Sequence, residues 1–193
     1  MDTQHLIQMA QVARVLTDER TIVVAGIAAA FKCIDVPDDR FQSLFEQSDE
    51  VIFFICPKVD ADGVCALSNL MIGRDSPYHR LTECCANVEF TWNAELPNGW
   101  VNRLRYFSFP GMLRSGVHIM LISQHDFLLD QLRKESEHAM LYAELLIGDE
   151  IEIHELRPIV DEWDIDAKTR RRIKKVIDSL RTIKNRKNRL CDK

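Results

Sequence analysis

The chain has 193 residues, 46% of them apolar and 28% charged, with a net charge of −5. That length suits one well-packed domain with room for an added element, and the charge density argues against a membrane protein. No apolar run approaches the ~20 residues a membrane span needs, and "MDTQHLIQMAQVARVL" lacks the basic start and unbroken apolar stretch of a secretory signal, which predicts a cytoplasmic protein.

Leu6, Met9, Ala10, Ala13 and Leu16 have the spacing of an amphipathic helix over residues 3–18. "TIVVAG" predicts a short buried strand, 21–25, ending at Gly26, with helix-prone "IAAAF" after it. In "DVPDDRFQSLFEQ", Pro37 starts a helix with Asp38 and Asp39 in its first turn and Phe41, Leu44 and Phe45 toward the core. Residues 51–56 are apolar throughout and predict a second strand with both faces covered. Then comes Asp60-Ala61-Asp62-Gly63, followed by a helix over 64–71 closed by Gly73.

"YHRLTECCANVEFTW" reads as a helix running into a strand at about 88–92, and "NAELPNG" as a loop. "WVNRLRYFSFPG" and "GVHIMLIS" supply further strands or helix–strand pieces around a turn at Pro110-Gly111. Ser123 caps a helix whose core face is Phe127, Leu128 and Leu132. A second helix, about 137–147, stops at Gly148, and helices near 153–163 and 167–190 complete the chain. The expected fold is α+β, a mixed sheet flanked by helices with a helical C-terminal extension. The expected domains are residues 1–160 and a basic extension, 161–193.

The net charge conceals a split. Residues 168–193 hold twelve Lys or Arg and two Asp, a net +10, whereas the first 167 residues hold thirteen basic and twenty-eight acidic residues, a net −15. In the tail, Ile173, Val176, Ile177, Leu180 and Ile183 share one helical stripe. The cations Arg170, Arg171, Arg172, Lys174, Lys175, Arg181, Lys184, Arg186 and Lys187 are candidate contacts to an RNA or DNA backbone. The tail has no aromatic residue to stack on bases, so such contact reads charge and shape. The competing reading is a solvated helix face that neutralises the acidic body.

None of the six cysteines (33, 56, 65, 84, 85, 191) lies two residues from another, so no zinc ribbon or redox pair is written here, and structural thiols are expected. No two histidines have metal-ligand spacing on one helix, and His118, in an apolar strand, is expected in the core. Trp92, Trp100 and Trp163 are read as core anchors.

Two carboxylates after a strand can hold a hard cation that activates water, and Asp60 and Asp62 are the candidate metal ligands. An Asx turn capping the next helix is the alternative. "VDADGVCAL" resembles the first acidic motif of the DHH phosphoesterase family in its order of strand, Asp-x-Asp-Gly and helix. The Asp-His-His signature of that family is missing; the one His-Asp pair is His125-Asp126.

A wider resemblance spans roughly residues 95–160. Leu96-Pro97-Asn98-Gly99-Trp100, the strand 118–122, Asp126-Phe127-Leu128-Leu129 and the pair Leu145-Leu146 follow the order seen in the nucleotidyltransferase superfamily, nearest the abortive-infection and toxin–antitoxin-type members. "TIVVAGIAAAF" resembles the family's strand–glycine–helix start, with Ala25-Gly26 for the glycine pair. The resemblance puts the metal-binding acidic strand at "SDEVIFFI", with Asp49 and Glu50 as its acids. Ile52 stands where a second acid is expected, Gln131 where active members carry lysine, and Ala139 where an aspartate follows the basic stretch.

Nucleotidyl transfer needs two or more carboxylates for its divalent ions and a cation facing phosphate. The resemblance therefore implies a catalytically degenerate protein without cofactor, acting by binding nucleic acid or a protein partner in a toxin–antitoxin or phage-defence setting. The alternative is an active Mg²⁺-dependent nucleotidyltransferase or phosphoesterase using Asp60 and Asp62 with Asp49 or Glu50. A third reading, from the −15 of residues 1–167, is an acidic adaptor or inhibitor that imitates nucleic acid.

Overall fold

The computed structural model describes residues 3–26, 50–56, 61–109, 111, 114, 116–146 and 151–191. Within them the chain is mixed α+β, with a five-stranded mixed sheet flanked by helices. It divides into two compact units: a sheet unit, Met1–Glu95 with Arg103–Ser123, and a helical unit, Leu96–Asn102 with Gln124–Lys193. The division departs from the boundary expected at 160/161, because the basic C-terminal helix packs with helices that precede it.

In the sheet unit, α1 (Thr3–Thr17) buries Leu6, Met9, Ala10 and Ala13, the stripe its periodicity predicts. It ends where Asp18 takes a left-handed φ of 54°, a conformation aspartate tolerates better than most residues. Strand β1 (Thr21–Ala25) has the expected bounds, and Gly26, at φ 78°, turns the chain out of it. Strand β2 (Glu50–Ile55) lies inside the sheet, as its unbroken apolarity predicts. Helix α2 (Ala61–Ile72) and the short helix α3 (Pro77–Thr82) carry the chain to β3 (Cys85–Phe90), which runs parallel to β2 and so requires such a crossover.

Helix α3 begins where the Ser76 hydroxyl accepts from the His79 N–H at 3.1 Å, with Pro77 in the first position. Strands β4 (Arg105–Phe107) and β5 (His118–Leu121) complete the sheet in the order β3-β2-β1-β5-β4. β1 is antiparallel to β2 and parallel to β5, and β4 is antiparallel to β5. Both α1 and α2 pack on this sheet and on each other.

The helical unit contains α4 (Gln124–Arg133), α5 (Ala139–Leu146), α6 (Ile153–Glu162) and α7 (Ala167–Cys191). Phe127, Leu128 and Leu132 are buried as expected, and Tyr142 of α5 meets Phe127 edge-on at 5.0 Å between ring centres. The segment carrying Leu96-Pro97-Asn98-Gly99-Trp100 joins this unit through a buried Trp100 and an Asn98 Nδ2–H that donates to the Glu162 carbonyl at 2.7 Å. The expected helices after Gly26 and from Pro37, the Pro110 turn position and the stop at Gly148 lie outside the described residues.

On the β3 edge of the sheet one residue's backbone groups are taken by a side chain. Asn69 of α2 accepts from the Val88 N–H at 2.7 Å and donates to the Val88 carbonyl at 3.2 Å, reproducing both halves of a strand pairing. An open edge would otherwise offer those groups to another chain. One helix position earlier, Ser68 is fully buried and its hydroxyl has no hydrogen-bond partner among the described residues. Asn69→Ala, which strands both Val88 groups, is expected to lower stability by about 1–3 kcal/mol, and Ser68→Ala, which removes an unpaired hydroxyl from a helix, to raise it by about 1 kcal/mol. Urea unfolding of the two variants against the parent checks both signs.

Candidate nucleic-acid interface

Of the acidic candidates, Glu50 and the backbone position of Asp62 are described, and these two are not brought together. The register Ala25↔Ile52 sets Gly26 beside the start of β2, so the glycine turn and Glu50 are neighbours. Glu50 is half-exposed and its carboxylate meets the Arg74 guanidinium at 3.3 Å. Arg74 lies just past the end of α2, whereas Asp62 lies in its first turn. At 1.5 Å per residue, about 15 Å of helix separates Asp62 from that end. Ile52, where the nucleotidyltransferase resemblance expects an acid, is a half-buried strand residue opposite Ala25. Asp49 and Asp60 lie outside the described residues. Among the described residues, no three His, Cys, Asp or Glu side chains form a group able to hold a metal ion.

Two core assignments need correction. His118 is exposed, because it opens β5 at the end of the sheet, and its ring tilts against Tyr106 at 6.5 Å between centres. Trp92 is 59% exposed and stacks on Phe90 at 4.5 Å, since the chain leaves β3 before reaching it. Trp100 and Trp163 are buried, as read. Cys84 and Cys85 are buried and not joined in a disulfide, whereas Cys56 is exposed.

The tail gives the clearest arrangement. Asp166 opens α7: its Oδ1 accepts from the Lys168 N–H at 2.9 Å and the Thr169 N–H at 3.0 Å. Ile173, Ile177 and Leu180 are then buried at intervals of one helical turn, against α6 and α4. Burying three such side chains is worth roughly 5–8 kcal/mol, far more than exposed ion pairs supply. The apolar stripe therefore sets the rotation of the helix, and the rotation sorts its cations.

Three of the candidate cations point back into the helical unit. The Arg170 guanidinium donates to the Trp163 carbonyl at 2.6 Å. Arg172 donates to the Arg133 carbonyl at 2.9 Å and pairs with Glu135. Lys174 pairs with Asp161. Across the same surface Arg157 meets Asp178 at 3.4 Å, and His125 of α4 meets Glu155 of α6 at 2.8 Å.

Arg171, Lys175 and Arg181 of the candidates, with Lys168, which the sequence reading omitted, face solvent and form no ion pair among the described residues, although the Lys168 charge helps to hold Asp166 ionised. Lys168, Arg171 and Lys175 lie three and four residues apart and so form one ridge. The α7 backbone continues to Cys191, which places Arg186 at the same angle around the helix as Lys175; the side chains of Lys184, Arg186 and Lys187 lie outside the described ones. From Lys168 to Arg181 the helix rises about 20 Å.

Helix energetics do not account for this placement. Six cations, Lys168, Arg170, Arg171, Arg172, Lys174 and Lys175, crowd the first nine residues of α7, the end where the macrodipole is positive and cations are disfavoured. The carboxylates that offset them are held strongly ionised. Hydrogen bonds from Thr169 hold Asp166 below its ordinary value, and the hydrogen bond from Lys174 does the same for Asp161.

No protein-family model matches the chain, and no match was found among curated proteins or solved structures.

Because the folded Asp166 and Asp161 bind protons less readily than in the unfolded chain, their stabilisation is fully present above the ordinary aspartate pKa of about 3.9 and disappears as pH falls through the lowered folded values. Thermal unfolding followed from pH 6 to pH 2 is expected to show this loss. Asp166→Asn, which keeps the cap without the charge, is expected to flatten its share of the pH dependence. Ile177→Ala is expected to cost about 2–5 kcal/mol, read from urea unfolding, because it removes the central residue of the docking stripe.

Proposed function

We propose that the protein acts by binding the phosphate backbone of a nucleic acid through the outward face of α7. The observation that carries this reading is the sorting of the tail cations. Where self-neutralisation accounts for a cation, an acidic or carbonyl partner is in place, as at Arg170, Arg172 and Lys174. Lys168, Arg171 and Lys175 form no ion pair among the described residues and present three positive charges along one exposed ridge, with the exposed Arg181 roughly 80° away around the helix. Each phosphate neutralised there releases counterions, so affinity falls steeply with salt.

The face carries no aromatic side chain and so offers bases nothing to stack on; it tracks backbone charge. DNA and RNA duplexes are accordingly expected to bind alike.

The nucleotidyltransferase-like reading belongs to this proposal at the level of fold. It is supported by the order β1, Gly26, β2, with the glycine turn beside Glu50. A recognition role is the part of it favoured here: Ile52 replaces an acid, Glu50 is engaged by Arg74, and Asp62 lies a helix length away. The toxin–antitoxin or phage-defence setting rests on the sequence resemblance alone.

Fluorescence anisotropy with the full chain and a labelled 20-base-pair duplex tests the interface. Replacing Lys168, Arg171 and Lys175 together by Gln is expected to weaken binding by about tenfold or more at low salt. A charge-matched variant in the sheet unit, with the exposed Arg20, Arg80 and Arg114 changed to Gln, is expected to bind within about twofold of the parent. Equal losses in the two variants, or none in the first, would reject the assignment.

A further inference from the structure

Helix α2 is apolar on two sides, and one of them faces solvent. Its inner side buries Ser68 and Ile72, while Asn69 reaches the β3 edge. Its outer side exposes Leu67 (46%), Leu70 (66%) and Met71 (44%), which share one face at intervals of three and four residues. Leu81 of α3, the helix packed beside it, is 86% exposed. A helix that is hydrophobic all round belongs in an interior, and contiguous exposed apolar surface marks an interaction site.

We infer that this face is where a second copy of the chain docks, joining α2 to α2 of its partner about a two-fold axis. Two observations select that occupant. The first is charge. From Gly63 to Gly73 the chain carries no Asp, Glu, Lys, Arg or His. In an isologous interface each surface meets itself, so a charge near the axis confronts its like; a stripe free of charge meets its own copy without that repulsion.

The lack of any cation on the same stripe gives a nucleic-acid backbone nothing to bind here, which separates this face from the one on α7. The charged residues flanking it, Arg74 paired with Glu50 and the exposed Arg80, suit a polar rim.

The second is area. At the observed exposures, Leu67, Leu70, Met71 and Leu81 present on the order of 400 Å² of apolar surface, against the roughly 800 Å² per partner, a little over half of it apolar, of a standard interface. The stripe thus supplies the apolar share that a specific dimer needs. At the sheet edge beside it, Asn69 already occupies the Val88 N–H and carbonyl, which leaves the apolar stripe as the larger surface for a partner. The inferred contact is helix on helix.

Sedimentation equilibrium on the full chain, between about 1 and 100 μM, tests this. The parent is expected to populate a dimer in that range. Leu70→Glu and Leu70→Lys, both at an exposed position that folding does not depend on, are each expected to weaken it by about 30-fold or more, the effect of losing a central anchor. Mixing the two variants in equal amounts is expected to recover dimer, because opposite charges then meet across the axis. A parent that stays monomeric to 100 μM, or a dimer indifferent to charge at Leu70, would overturn the inference. Circular dichroism of each variant separates loss of association from loss of fold.

Discussion

The docking of Ile173, Ile177 and Leu180 fixes the rotation of α7, and the helical unit takes its character from that rotation. A helix with a net positive sequence has no intrinsic front or back; it acquires them when one stripe is buried. Once these three side chains are inside, 3.6 residues per turn leave each cation little freedom. Arg170, Arg172 and Lys174 fall at the margins of the buried stripe, within reach of the Trp163 carbonyl, Glu135 and Asp161. Lys168, Arg171 and Lys175 fall on the side away from it. The neutralising and the binding interpretations of a basic tail thus divide one helix between them.

The same logic of two faces applies to α2. Its inner side packs on the sheet, with Asn69 taking the Val88 backbone groups as a neighbouring strand would, while its outer side repeats apolar residues toward solvent. One helix of the chain displays cations and another displays leucines. The two proposals follow this difference, a phosphate backbone being proposed for the first face and a like surface for the second.

Local pattern carried much of the fold. The β-branched run 21–25, the apolar run that became β2 and the helices of the last third follow from periodicity and from glycine stops, which act over a few residues. What escaped was set by partners distant in the chain. Trp92 and His118 look like core residues in sequence, but each sits where its strand leaves or enters the sheet, and strand ends are not written in composition. The membership of Leu96–Asn102 in the helical unit depends on Asn98 reaching Glu162. The candidate face was half legible: the stripe Ile173–Ile177–Leu180 could be read from spacing, but which cations were already engaged depended on Glu135 and Asp161. The acidic candidates show the reverse problem. Glu50 and Asp62 are close in sequence, yet β2 and α2 carry them to positions about a helix length apart.

The central claim is that free cations on α7 meet phosphate, and the salt dependence of affinity measures it most directly. For the full chain on duplex DNA between about 50 and 200 mM salt, three engaged cations predict a log–log slope of about −3. A slope near zero, or no binding at the lowest salt, would contradict the account and return the tail to a structural role.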